Sequence, residues 1–412
     1  MKHDEQLNVL KELIRQIDTK TTCDAGKVVV NPTSSYTDKA LAEREWQVIF
    51  QAQPQVIGLS SELPEPGSYL TNNDLGAPIL ATRDKDGRFH AFVNACRHRG
   101  AQLTEETRGT AHRFTCPFHA WTYAPDGRLM GIRQGEMFGN VDKACHGLVE
   151  LPSQEKYGLL VIHPQVDGKV DIDELLGAEL AAELANWEFA KAELVGESVI
   201  DKALNWKLAN DTFGENYHFS VLHSKTLLNL AHPDYAAYRE YGRHHRICTA
   251  SRYLDVMRTQ PESEWNFAFA SIAAYYLFPN VQIVFVGGMV VLVRIYPDRN
   301  DVARSISRIT HFAMPHIKAE LPARERATAV KGDNVYSADM SERPEFDVSA
   351  TIELLLSTVE HEDYLMSEKA QVAANGGKLD YFLFGRNEPA LHHFHNNYRA
   401  VLGQPPLQEY VA

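Results

Sequence analysis

Apolar positions recur at two different periods along this chain. Leu7, Leu10, Leu13 and Ile17 fall three to four residues apart, which predicts an amphipathic helix over residues 6–18. From about residue 46 to 164 the pattern shortens to strands and turns, among them Val56-Ile57-Gly58 and Gly158-Leu159-Leu160-Val161-Ile162. Asp86-Gly87 and Asp126-Gly127 read as hairpin turns, with Phe89, Ala91 and Val93 alternating beside the first. Residues 171–188 shift to Leu, Ala and Glu, the composition of a helix or linker. Beyond it, residues 275–278, 281–286, 289–296 and 305–314 predict consecutive antiparallel strands, the middle pair turning on Gly287-Gly288, and residues 348–374 predict a long helix. The layout is α+β: a small all-β module set near the start of a larger sheet-plus-helix module.

Bulk properties narrow the class. A length of 412 residues gives about two to three domains. The composition, 44% hydrophobic and 23% charged, is that of an ordinary globular protein. A net charge of −13 argues against a nucleic-acid partner and leaves room for a redox partner with a basic patch. The longest apolar run, residues 281–293, is too short to span a bilayer, and the charged start Met1-Lys2-His3-Asp4-Glu5 is no secretory signal. Two of the five cysteines fall in the motif described next, and Cys23, Cys145 and Cys248 read as thiols without a role. That usage fits a cytoplasmic, reducing location.

Cys96-Arg97-His98 and, after a gap of seventeen residues, Cys116-Pro117-Phe118-His119 each offer one thiolate and one imidazole. A structural zinc site would usually pair its cysteines on one knuckle and its histidines on another. One of each per loop is the ligand order of a Rieske [2Fe-2S] centre, whose imidazoles raise the reduction potential above that of an all-cysteine cluster. The flanks Arg97-His98-Arg99-Gly100 and Cys116-Pro117-Phe118-His119-Ala120-Trp121-Thr122-Tyr123 resemble the Rieske domain of ring-hydroxylating oxygenases. Trp121 and Tyr123 are placed either to join a hydrogen-bonded layer around such a cluster or to pack as an aromatic pair.

A second constellation lies at Asp211-Thr212-Phe213-Gly214-Glu215-Asn216-Tyr217-His218-Phe219-Ser220-Val221-Leu222-His223. Two histidines with nearby acids suggest a 2-His-1-carboxylate iron site with open positions for oxygen and substrate. On a regular helix His218 and His223 would point about 140° apart, so a break or π-type distortion is expected near residues 220–222. Glu215 shares a face with His218 and is placed to accept a hydrogen bond from it. With both motifs in order, the chain resembles the large, or alpha, terminal subunit of Rieske non-haem iron oxygenases. That resemblance implies Asp363 as the third iron ligand and a contact from Glu215 to a cluster histidine, His119, of a neighbouring subunit. Glu at 215, where most ring hydroxylases carry Asp, is similar to oxygenases acting on carnitine- and betaine-like amines. Asn210-Asp211 departs from the more common Glu-Asn.

The resemblance further implies a Rieske domain over residues 45–165, a helix-grip (START/Bet v 1-like) catalytic domain with a central antiparallel sheet over 166–412, and residues 1–44 packing with the latter. It implies a [2Fe-2S] cluster on Cys96, His98, Cys116 and His119, a mononuclear Fe(II) on His218, His223 and Asp363, and O₂ as co-substrate. Electrons would come from NAD(P)H through a separate reductase or ferredoxin, in a homotrimer or a multiple of it, with or without a small subunit. The expected activity is hydroxylation, dihydroxylation or oxidative demethylation of an aromatic or alicyclic small molecule. The alternatives are oxidation of a quaternary amine and, in another class, electron transfer without catalysis. Phe213, Phe219, Leu222, Leu227 and Leu228 would line an apolar pocket or belong to the core, and Trp265, Tyr275 and Tyr276 could cage a quaternary amine. His392, His393 and His395 read as a surface helix face, Arg243-His244-His245-Arg246 as a solvated strand or loop, and His112 as a surface residue.

Overall fold

The computed structural model describes residues 1–315 and 348–411, which form two compact units, Glu45–Lys191 and Met1–Arg44 with Ala192–Ala412. In the first unit a five-stranded sheet places Phe89–Val93 between Glu150–Leu151 and Ile79–Arg83, followed by Ser68–Asn72 and Arg108–Thr110. Two three-stranded sheets accompany it, one of which is Phe114–Thr115, Thr122–Tyr123 and Leu129–Gly131. Both Asp-Gly turns form as the sequence predicts. Gly127 is held at φ +79°, and a Cβ there would lie 2.4 Å from the Phe92 ring, so conformation and space both demand glycine. Ala91 and Phe92 are both buried, so this strand packs on two faces and not on one as the alternation suggested.

Helix Ile172–Ala185, capped by the Asp171 side chain on the amides of Asp173 and Glu174, groups with this unit. The Ile172 amide donates to Gln154 Oε1 at 2.8 Å, Tyr157 donates to Asp173 at 2.6 Å, and Phe189 packs on Gly158. These contacts move the boundary from the expected 165 to 191.

The second unit is built on a seven-stranded antiparallel sheet in the order Glu193–Lys202, Ser305–Ala313, Met289–Pro297, Val281–Val286, Ser271–Leu277, His244–Ser251 and Ala231–Tyr241. Gly287 and Gly288, both at positive φ, close the hairpin that pairs Val286 with Met289. The predicted long helix is two helices, Val348–Thr358 and Tyr364–Asn375, joined by a π-helical turn, Val359–Asp363. Helix His3–Thr19 buries Leu10, Leu13 and Gln16, and Gln16 donates to the Ala236 carbonyl at 3.0 Å. Strand Val29–Pro32 lies between Tyr381–Phe384 and Gln408–Glu409. Sheets and helices in these proportions make the α+β class the pattern called for. Among the described residues no helix is long and apolar enough to cross a membrane.

Candidate metal centres

The two Cys/His loops fold into the same knuckle. Gly100 bonds back to the Cys96 carbonyl at 2.8 Å and Ala120 to the Cys116 carbonyl at 2.9 Å, each four residues beyond its cysteine. Gly100 and Ala120 both adopt positive φ, which for alanine is an uncommon and strained choice. Cys96 and Cys116 are buried in one core cluster with Phe92, Phe114, Trp121 and Tyr123. His98 and His119 bring their rings to 4.6 Å, and Trp121 stacks on His98 at 5.3 Å. The Tyr123 hydroxyl accepts from the Arg97 amide at 2.9 Å and lies 3.3 Å from Cys96 Sγ. Trp121 thus packs on an imidazole, while Tyr123 contacts a thiol. The Nδ1 atoms of His98 and His119 are buried without a hydrogen-bond partner. Two thiols beside two orphaned imidazole nitrogens suit a cluster with two sulfur and two nitrogen ligands.

In the other unit, helix Trp206–Asp211 ends before either histidine, and residues 212–226 hold no helix, with turns at 212–213 and 217–226 on either side of an irregular stretch. The expected distortion of a helix near 220–222 is therefore replaced by the absence of a helix. A Cβ on Gly214 would meet Leu391 at 2.6 Å, and Asn216 is tied to the Tyr235 carbonyl at 3.1 Å, so packing fixes an irregular path. A single turn, Leu222 amide to His218 carbonyl at 2.8 Å, brings the two imidazoles together edge to face, 4.8 Å between ring centroids. His218 Nε2 lies 3.0 Å from His223 Nε2, and Asp363 Oδ1 lies 3.3 and 3.1 Å from them. The π turn carries Asp363 into this position, where the Tyr364 amide bonds to the Val359 carbonyl five residues back.

The opposite nitrogens explain why these three atoms converge. His218 Nδ1 contacts Glu215, and His223 Nδ1 faces Glu362 Oε2 at 2.6 Å, which also accepts from Thr226 at 2.9 Å. Each Nδ1 thus donates to a carboxylate, leaving both Nε2 lone pairs directed at Asp363 and at each other. Such a cluster calls for a cation. Burial lowers the His218 pKa, but where no cation balances them Asp363 and Glu215 outweigh it and raise it to about 10, so a metal ion would take the Nε2 position that a proton otherwise holds. Burial raises Asp363, yet His218 and His223 leave it below its ordinary value. The three side chains place one ligand atom each within 4.8 Å of one another, a group able to hold a metal ion. Glu362 has no distinguishing signal in the sequence beyond standing next to Asp363.

A cavity of about 120 Å³ opens beside these residues. Phe213, Phe219 and Leu227 line it, with Val284, Val286, Val291, Val293 and Ile309 from the sheet. Leu222 and Leu228 do not, and neither do Trp265, Tyr275 or Tyr276, so the envisaged aromatic cage is not formed there. Tyr276 instead bonds the Pro279 carbonyl at 2.7 Å and stacks on His245. His311 and Thr358 also border the cavity and went unnoticed in the sequence.

The C-terminal histidines are a correction. His392, His393 and His395 are buried in helix Pro389–Val401, where His395 meets Asp211 at 2.9 Å and Tyr36 donates to the same carboxylate at 2.8 Å. Strand His244–Ser251 is buried throughout, and His245 faces His393 at 3.1 Å. These imidazoles are core polar groups satisfied by one another, by the backbone and, for His395, by Asp211. His112 is exposed, as expected.

A β unit with paired Cys/His knuckles and a sheet-and-helix unit with a two-histidine, one-carboxylate cluster define a class of proteins with two metal centres. This chain belongs to the ring-hydroxylating alpha subunit family: residues 189–404 match its catalytic domain, and residues 53–141 match the Rieske [2Fe-2S] domain. It is 34% identical over 203 residues to the glycine betaine monooxygenase oxygenase subunit of Chromohalobacter salexigens, a match covering 49% of this chain and 45% of that one. It is 33% identical over 202 residues to the anthranilate 1,2-dioxygenase large subunit of Acinetobacter baylyi, covering 48% and 43%. The matched region is thus less than half the length of these relatives. The fold is that of the quaternary ammonium Rieske monooxygenase CntA in complex with L-carnitine (TM-score 0.71, 19% identity, 92% of this chain and 97% of that one). Naphthalene 1,2-dioxygenase with bound indole shares it as well (TM-score 0.67, 18% identity, 93% and 94%).

Proposed function

We propose that this chain is the terminal oxygenase component of a Rieske oxygenase system that oxidises an aromatic or alicyclic small molecule with O₂. The observation that carries this reading is the convergence of His218 Nε2, His223 Nε2 and Asp363 Oδ1 beside an apolar cavity. Cys96, Cys116, His98 and His119 would hold the [2Fe-2S] cluster, and His218, His223 and Asp363 the mononuclear Fe(II). When bound, the cluster supplies single electrons and the mononuclear iron supplies O₂ activation. Glu215 and Glu362 fix the tautomers of the two histidines, and the apolar walls exclude water and hold the substrate ring.

Electrons come, in this reading, from NAD(P)H by way of a reductase or ferredoxin. The assembly is a homotrimer or a multiple of it, with or without a small subunit, in which Glu215 meets His119 of the partner subunit. Five free cysteines fit a cytoplasmic location. Quaternary-amine oxidation is the second reading, favoured by relatives named glycine betaine and carnitine monooxygenase. Against it, the only aromatic rings besides the histidines among the described cavity residues are Phe213 and Phe219.

Metal analysis separates oxygenase from pure electron carrier. About three irons and two acid-labile sulfides per chain support the proposal, and two irons would sink it. Substrate screening with a surrogate reductase under ¹⁸O₂ then counts the oxygen atoms entering the product.

A further inference from the structure

His311 is fully buried on strand Ser305–Ala313, and among the described residues neither of its ring nitrogens has a partner of good hydrogen-bond geometry, the Gly196 backbone approaching it only loosely. Thr358, at the end of helix Val348–Thr358, is also buried, and its hydroxyl is likewise unpartnered. Buried polar groups are nearly always paired, and those that are not call for a reason. Here the two share more than that deficit, because both border the cavity beside His218, His223 and Asp363. His311 stands two residues from Ile309 and pairs in register with Val291, both lining groups, so it interrupts an otherwise aliphatic wall.

We propose that His311 and Thr358 are the specificity determinants of this pocket, hydrogen-bonding an uncharged hydroxyl substituent on a single-ring substrate. This rests on the oxygenase reading only in taking the cavity as the substrate's. The size follows from the volume: a cavity of about 150 Å³ accommodates benzene, and this one is about 120 Å³. An anionic substituent is disfavoured by a lining that includes no Lys or Arg among the described residues while Glu215 and Asp363 stand at one end, and a quaternary cation by the lack of an aromatic cage beyond Phe213 and Phe219. Burial holds the His311 imidazole below its ordinary pKa, offset only in part by the Gly196 backbone, so the ring is neutral. A neutral imidazole offers one N–H and one lone pair, which matches a group that can both accept and donate. A hydrocarbon would leave these polar atoms unsatisfied, and a site built to bond a hydroxyl discriminates strongly against analogues lacking it.

The test is calorimetric binding of benzene, phenol and benzoate to the anaerobic protein loaded with cluster and iron. Phenol should bind at least about tenfold tighter than either of the others. His311→Phe, which keeps the volume and removes both nitrogens, should bring phenol to the affinity of benzene while leaving benzene binding and iron content unchanged. Thr358→Val should erode the preference in part and serves, with His311→Asn, if the first variant does not fold. A preference for benzoate, an unchanged phenol-to-benzene ratio in the variants, or no binding of any of the three overturns the inference. A His311-dependent preference in a protein that consumes no O₂ would overturn the oxygenase reading and leave this one standing.

Discussion

Glu215 and Glu362 take the Nδ1 sides of His218 and His223, so the convergence of the two Nε2 atoms on Asp363 depends on two carboxylates outside that cluster. Glu215→Gln should keep three irons per chain and lower turnover about 10- to 100-fold, the usual loss when such a partner is replaced; unchanged turnover at full iron content would remove Glu215 from the mechanism. A pH effect arises elsewhere in the same unit. Burial, with His393 and His244 beside it, holds the His245 pKa well below its ordinary 6.5. Below that value the unfolded chain binds a proton that the folded one refuses, so stability is intact above pH 6.5 and falls as the medium is acidified. The limiting slope is about 1.4 kcal/mol per pH unit for this histidine. Melting temperatures recorded from neutral to mildly acid pH should fall, and His245→Phe, which preserves stacking on Tyr276, should flatten the decline. The residues that converge at the two candidate centres were legible because mixed Cys/His loops and paired histidines have few other uses. The buried histidines were not, since a hydropathy pattern scores imidazole as polar and carries no trace of a partner such as Asp211, 184 positions from His395.

At the scale of elements, turns were easier to read than interruptions. Gly287-Gly288 and the Asp-Gly pairs announce themselves because few residues adopt positive φ without strain. The π turn at Val359–Asp363 has no such marker: residues 348–374 read as one helix, and a single added residue re-aims everything beyond it. His361 is exposed within that turn. Inserting one alanine after His361, beyond the single extra residue that the π turn absorbs, should swing Asp363 about 100° from the two histidines. The expected result is loss of the mononuclear iron with the Rieske EPR signal intact; full iron retention would show that the turn does not set the ligand. The expected break near residues 220–222 failed for a related reason. It assumed a helix that Gly214 and Asn216 prevent by tertiary contact, and propensity does not register such contacts.

At the scale of the whole molecule, the unit that carries the candidate iron site is discontinuous in sequence, with Met1–Arg44 on one side of the β unit and Ala192–Ala412 on the other. Arg239 and Arg246 both bond Glu5 at 2.9 Å, and Val29–Pro32 is the middle strand of its small sheet. A chain lacking residues 1–44 should therefore lose the cooperative unfolding transition of the larger unit while residues 45–191 keep theirs and bind the cluster, a contrast that calorimetry and visible absorption would show. The same discontinuity sets a timetable during synthesis. Val29–Pro32 leaves the ribosome roughly 350 residues ahead of Tyr381, with which Pro32 pairs, a delay on the order of tens of seconds. In that interval the β unit can fold and bind its cluster, while Leu10 and Leu13 have no core to enter. The nascent N-terminal segment is then a natural target for chaperones and proteases, and the speed of translation becomes one of the determinants of yield.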